Sequence, residues 1–211
     1  MTSPGESLRG LYALTDSKLT PGDRLLPAMD AAIRGGARLV QYRDKSVDIA
    51  RRQAEARALL ALCREHGVLL LINDDVSLAA EIGADGVHLG KDDASLANAR
   101  VALGPRAIIG VSCYDSLPAA VAAAHAGADY VAFGSFHTSG SKPAAVRAPL
   151  SLLTDARREL SIPLCAIGGI TPGNGAALVA AGADMLAVIH GLFGAADIFR
   201  TAKAYADLFR R

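Results

Sequence analysis

Residue chemistry concentrates first at QYRDK (41–45), where apolar Leu39-Val40 leads into two cations separated by one residue. In an extended segment residues i and i+2 share a side, so Gln41, Arg43 and Lys45 face one way and Asp44 the other. An amide, a guanidinium fork and an ammonium point charge on one wall suit a diphosphate. A solvated charged turn accounts for the same five residues equally well. NDD (73–75) follows four aliphatic residues, and HLGKDD (88–93) overlaps the end of another short apolar run. If those runs are neighbouring strands, Asp74 and Asp93 offer hard oxygen ligands for Mg2+, which keeps several waters and bridges to phosphate oxygens. The commoner fate of an Asp after a strand is a helix N-cap, and that applies to Asp74 or Asp75.

A second cluster has a different character. Gly168-Gly169 follows PLCAI and precedes Ile170-Thr171-Pro172, exposing backbone N–H groups beside a helix start, a natural place for a phosphate. Ile189-His190-Gly191 closes another apolar run, and His190 fits a backbone-bonded rim histidine as well as direct catalysis. His66 and His125 fall in helical patterns and look structural. His88 lies inside a strand and reads as a satisfied core histidine. Cys113 beside Ser112 has no local His-Asp pattern to support a triad.

These residues need a frame that brings them together. GGARLVQY (35–42), IGADGVHL (82–89), HAGADYVAF (125–133) and AAGADMLAV (181–188) share one layout: an Ala-rich helical stretch, Gly, a short turn, then an aliphatic strand. Completing the series predicts strands at 10–15, 38–43, 68–73, 86–89, 107–112, 130–135, 163–167 and 185–189. The predicted helices are 22–34, 48–66, 76–82, 94–103, 115–126, 149–159, 173–181 and 195–209, with caps at Asp48, Asp115 and Thr171-Pro172. Eight βα units in 211 residues are the small end of a (β/α)8 barrel, and a doubly wound sheet would use fewer strands. The expectation is one α/β TIM-barrel domain over 1–211, with 1–8 a flexible N-terminal tail. In such a barrel the carboxyl ends of strands carry the chemistry. Nearly every strand here ends in polar groups: Thr15-Asp16, Gln41 to Lys45, Asn73 to Asp75, Lys91 to Asp93, Ser112, Ser135 to Lys142, Gly168-Gly169 and His190. The irregular stretch 135–151 reads as a binding loop or lid.

Composition narrows the partners. Hydrophobic residues make up 51% and net charge is +1, so no global basic field recruits nucleic acid or an anionic membrane. Three scattered cysteines suit reduced thiols in the cytoplasm, and MTSPGESLRG lacks the pattern of a signal peptide. Oligomeric state is open, a homo-oligomer included.

The assembled motifs resemble the thiamine phosphate synthase family along essentially the whole chain. QYRDK, NDD, HLGKDD, GVSC (110–113), GSFHTSGSKP (134–143), AIGGI (166–170) and VIHGLF (188–193) follow the family's order. The resemblance implies a transferase that binds 4-amino-2-methyl-5-(diphosphomethyl)pyrimidine through Gln41, Tyr42, Arg43, Asp44, Lys45, Asn73, Ser112 and Lys142. Mg2+ would sit on Asp74 and Asp93. The phosphate of 4-methyl-5-(2-phosphoethyl)thiazole would meet Thr138, Ser139, Gly140, Ser141, Gly168, Gly169, Ile189 and His190. Arg43, Lys45, Lys142 and Ser112 are the implied catalytic residues, stabilising a diphosphate leaving group. Lys91 for the usual Gln, a missing loop Pro and His190 for the usual Ser are departures. A thiazole tautomerase-like isomerase or a non-catalytic thiazole-phosphate-binding barrel are the alternatives. Retention of Asp74, Asp93, Arg43 and Lys45 favours the synthase.

Overall fold

A strand covered on both faces needs apolar residues at nearly every position, and the eight short aliphatic runs satisfy that. The computed structural model describes residues 8–90, 95–138 and 147–210. Within them lie β1 (Gly10–Leu14), β2 (Ala37–Tyr42), β3 (Leu69–Asn73), β4 (Gly86–Leu89), β5 (Ile108–Tyr114), β6 (Tyr130–Phe133), β7 (Leu164–Ile167) and β8 (Met185–Val188). All pair in parallel and in sequence order, and β1 closes on β8, giving the expected (β/α)8 barrel.

The helices are α1 (Leu25–Arg34), α2 (Ile49–His66), α3 (Val76–Ile82), α4 (Leu96–Leu103), α5 (Leu117–His125), α6 (Ser151–Glu159), α7 (Pro172–Ala180), α8 (His190–Phe193) and α9 (Ile198–Asp207). Asp48 opens α2 by accepting the Arg51 N–H at 3.0 Å, and Gly67 ends it in the left-handed conformation. Thr171 and Pro172 open α7 as expected. The cap expected at Asp115 belongs instead to Ser116, whose hydroxyl accepts the Ala119 N–H at 3.2 Å. The last helix, expected over 195–209, is α9, capped by Asp197, and the short α8 that precedes it was not expected. Strand five runs further than expected, to Tyr114, through an irregularity between Ser112 and Tyr114.

Side chains alternate along each strand between two cores. Tyr12, Leu14, Leu39, Leu71, Tyr130, Cys165 and Met185 fill the barrel interior, whereas Leu11, Val40, Leu70, Ile72, Val131 and Leu186 pack outward against the helices. Full burial of each Leu, Ile or Val contributes roughly 1.5–3 kcal/mol. Leu8, expected within a flexible tail, is 1% exposed and joins the interior cluster. The three cysteines are free and buried, and burial pushes the Cys63 and Cys113 thiols up to about 12. No helix among the described residues is long and apolar enough to cross a membrane.

Candidate active site

The carboxyl ends of β1, β2 and β3 form one wall of the barrel mouth. Thr15, 2% exposed, receives the Arg43 N–H at 2.7 Å and returns its hydroxyl to the Arg43 carbonyl at 3.2 Å, fixing the backbone as it leaves β2. The next residue is tied to the helix side. Asp44 pairs with Arg51 at 2.7 Å and accepts the Ser46 N–H at 2.7 Å. Burial opposes its charge, but the Ser46 hydrogen bonds and the Arg51 guanidinium outweigh it and hold Asp44 below its ordinary value. Held on both sides, this segment carries the Arg43 and Lys45 side chains, neither of which meets a carboxylate among the described residues. A cleft of about 290 Å³ opens beside Lys45, lined by Asp44, Lys45, Ser46, Arg52, Asn73, Asp74 and Asp75. Arg43 borders a small neighbouring recess with Thr15, Asp16 and Arg51.

Tyr42, expected among the substrate contacts, faces the opposite way. It is 3% exposed in the outer core, and its hydroxyl donates to Glu55 at 2.7 Å. Asp44 likewise spends its carboxylate on Arg51 and Ser46, although it also borders the cleft. In the NDD segment the two acids separate. Asp75 caps α3 through the Leu78 N–H at 2.9 Å and pairs with Arg52 at 2.7 Å, so it is occupied structurally. Asp74 adopts φ 64° at the end of β3, with its N–H on the His88 carbonyl at 2.9 Å. A non-glycine residue in this region is uncommon and gathers at functional sites. Its Oδ2 accepts from Asn73 Nδ2 at 2.5 Å. Asp93 and Lys91 lie outside the described residues.

The interior floor holds a feature that the sequence reading missed. Gln41, 1% exposed, donates from Nε2 to the Tyr12 hydroxyl at 2.6 Å. The Tyr12 and Tyr130 hydroxyls lie 3.0 Å apart. His88 places Nδ1 2.8 Å from the Tyr130 hydroxyl and Nε2 2.8 Å from Ser112 Oγ. His88 is the satisfied interior histidine expected of it. A tyrosine within an otherwise aliphatic strand was the available signal for Tyr12 and Tyr130.

The opposite wall comes from β6, β7 and β8. Gly168 and Gly169 both take positive φ, 105° and 60°. A Cβ on Gly168 would stand 2.0 Å from Ser135 Oγ, and one on Gly169 2.3 Å from the Thr138 carbonyl oxygen. The two loops can touch only because both positions are glycine. They are stitched by Phe136 N–H to the Ile167 carbonyl at 3.2 Å and His137 N–H to the Gly168 carbonyl at 3.0 Å. Arg147, also missed from the sequence, donates to Thr138 Oγ1 and brings a cation to this wall. Ile189 precedes the short helix α8, and His190 is exposed at its first position. Ser139, Gly140, Ser141 and Lys142 lie outside the described residues.

A family model described as thiamine monophosphate synthase matches residues 11–192. The chain belongs to the thiamine monophosphate synthase family. It is an enzyme, and a transferase. A thiamine-phosphate synthase of Thioalkalivibrio sulfidiphilus is 56% identical over 209 residues, covering 99% of both chains. One from Thiobacillus denitrificans is 55% identical, covering 99% of this chain and 96% of its own. The solved thiamine phosphate pyrophosphorylase of Pyrococcus furiosus superposes with a TM-score of 0.87 at 32% identity, over 96% of each chain. The thiamine monophosphate synthase match begins in β1 and ends in α8, so every described rim residue named above falls inside it.

Proposed function

We propose that this chain joins 4-amino-2-methyl-5-(diphosphomethyl)pyrimidine to 4-methyl-5-(2-phosphoethyl)thiazole, yielding thiamine phosphate and diphosphate. The observation that carries the proposal is the pairing of two unlike anion-receptive walls across one mouth. One wall carries Arg43 and Lys45 on the braced segment that leaves β2, with Lys45 lining the cleft, and the other presents the Gly168-Gly169 backbone beside Arg147. Family relatives named for this activity supply the chemistry that such a mouth would serve.

Gln41, Asn73 and Ser112 orient the aminopyrimidine in this reading. The Arg43 fork and the Lys45 ammonium stabilise negative charge as it develops on the departing diphosphate, where electrostatic help has the greatest effect on rate. The Gly168-Gly169 turn, with Thr138 and the backbone at Ile189-His190, holds the thiazole phosphate so that the ring nitrogen faces the pyrimidine methylene. That nitrogen has no proton to lose, so no general base is required of the chain. Lys142, Ser139, Gly140, Ser141 and Asp93 are assigned on the family resemblance alone. The donor set fits Mg2+: Asp74 supplies a hard carboxylate oxygen on the cleft, with Asp93 as its proposed partner, and the ion needs few protein ligands. Bound there, Mg2+ would neutralise part of the diphosphate charge and make it a better leaving group.

Purified protein given both substrates should release diphosphate only when thiazole phosphate and Mg2+ are both present, and Asp74→Ala should abolish the metal dependence together with most of the rate. Tight binding of both substrates without diphosphate release would overturn the reading in favour of a binding protein.

A further inference from the structure

Five polar groups from five strands run in series through the barrel interior: Gln41 on β2, Tyr12 on β1, Tyr130 on β6, His88 on β4 and Ser112 on β5. The series is built into the packing. A Cβ at Gly110 would lie 2.0 Å from Tyr130 Cζ, so the bare backbone of β5 makes room for that ring to cross. The His88 and Tyr130 rings stack at 5.6 Å, and Tyr12 meets Tyr130 edge-on at 6.1 Å. Both phenols are buried, and burial raises them far above their ordinary value, so each keeps its proton.

With the His88 imidazole neutral, proton counting restricts the series to two states. A phenol has one proton to give, and a neutral imidazole has one donor and one acceptor nitrogen. With Gln41 Nε2 donating to Tyr12, the Tyr12 proton goes to Tyr130 and the Tyr130 proton to His88 Nδ1. His88 Nε2–H then donates to Ser112, whose own proton is left for the mouth. With the Gln41 amide turned so that Oε1 accepts from Tyr12, every bond reverses and Ser112 gives its proton to His88. A mixed arrangement leaves a buried hydroxyl proton without an acceptor in the series, which is costly.

We propose that Tyr12, Tyr130 and His88 are positioning residues that lock the Gln41 amide and the Ser112 hydroxyl into one shared donor–acceptor polarity, so that both ends present a matched pattern to the aminopyrimidine. The proposal rests on the pyrimidine reading given above. Specificity for a ring carrying an adjacent donor and acceptor then comes from residues that never touch it. The thiazole phosphate wall draws on the loops after β6 to β8, and none of its residues is a member of the series, although Tyr130 stands at the start of β6.

Tyr12→Phe and Tyr130→Phe keep the rings and remove one link each. Each should raise KM for the pyrimidine diphosphate about tenfold, the worth of one ordinary hydrogen bond, while KM for the thiazole phosphate stays unchanged. The double variant should be no worse than either single one, because a series cut once is already cut. Multiplying effects, or equal rises in both KM values, would overturn the proposal. Nitrogen-15 NMR of His88 in the free wild-type protein provides a test independent of turnover. A single neutral tautomer is expected, giving way to a mixture in Tyr130→Phe. Exchanging tautomers in the wild type would sink the ordered series whatever the activity. A fixed tautomer in a protein that never releases diphosphate would instead remove the synthase reading.

Discussion

The two ends of this barrel solve opposite problems with the same side-chain types. At the amino ends of the strands one arrangement recurs three times. Asp85, Asp129 and Asp184 each accept the N–H of a residue at or near the start of the neighbouring strand, Leu70, Ile109 and Leu164, at 2.7, 2.7 and 2.9 Å. In each case an arginine from the helix before that strand reaches the glycine of the Gly-Ala-Asp turn: Arg64 to Gly83, Arg100 to Gly127 and Arg157 to Gly182. Arg100 and Arg157 also pair with Asp129 and Asp184. Charge at this end is consumed in holding strands in register. At the carboxyl ends Arg43 and Lys45 meet no carboxylate among the described residues, the backbone around them is braced from both sides, and Asp74 sits at positive φ. Repetition marks the stabilising end, and departure from repetition marks the reactive one.

The sharpest way to break this comparison is at Arg43. Arg43→Ala should lower kcat/KM by about 100-fold or more, because in the proposed reaction it deletes a charge that stabilises the departing diphosphate. Thermal stability should stay within about 0.5 kcal/mol of wild type, as for a side chain with no ion-pair partner among the described residues. A large fall in melting temperature with ordinary turnover in the surviving fraction would make Arg43 a structural residue and erase the distinction between the two ends.

Much of this was legible from sequence, for physical reasons that also explain the gaps. The strands could be placed because double burial forces aliphatic runs, and Asp48 and Thr171 because their cap chemistry is local. Asp115 competed with Ser116 for the same cap, and only the backbone path decides between neighbours. The Gly-Ala-Asp echo showed the repeat, but the acceptor role of its Asp depends on which strand lies beside it. The interior series is less legible still: Tyr12 and Tyr130 are 118 residues apart, and their meeting follows from barrel closure. The outward turn of Tyr42 is legible as well, against the contact that the family resemblance implies. The alternation that turns Asp44 away from Arg43 turns Tyr42 away too. Gly110, a glycine within a strand, signals a close approach whose partner the sequence does not name.

Asp184→Ala is the counterpart at the amino ends. It leaves the part-buried Leu164 N–H without its carboxylate acceptor and takes from Arg157 its ion-pair partner, leaving that guanidinium only carbonyl acceptors such as Gly182. The expected cost is roughly 1–3 kcal/mol, read as a lower denaturant midpoint with unchanged slope, while kcat/KM of the folded protein at 25 °C stays at the wild-type value. Loss of turnover without loss of stability would mean that the two ends are coupled rather than separate.

Asp44 gives the smallest and most discriminating test, because it is a paired charge of the stabilising kind standing at the reactive end. Its partner Arg51 is 38% exposed, so solvent screens part of the attraction, and Asp44→Asn should cost only about 1 kcal/mol at neutral pH. The pH dependence carries the sign. Asp44 is held below its ordinary value of 3.8 in the folded chain, so its contribution is complete above 3.8 and lost as pH falls through the lower folded value. Urea midpoints of wild type and Asp44→Asn should therefore differ by a constant amount from pH 7 to pH 5 and converge below 3.8. Turnover should fall at the same time, since Asp44 anchors the segment that carries Arg43 and Lys45. A gap that opens toward acid would mean that the carboxyl is raised, not lowered. A gap with the expected pH course but no change in turnover would show that Thr15 alone suffices to aim Arg43.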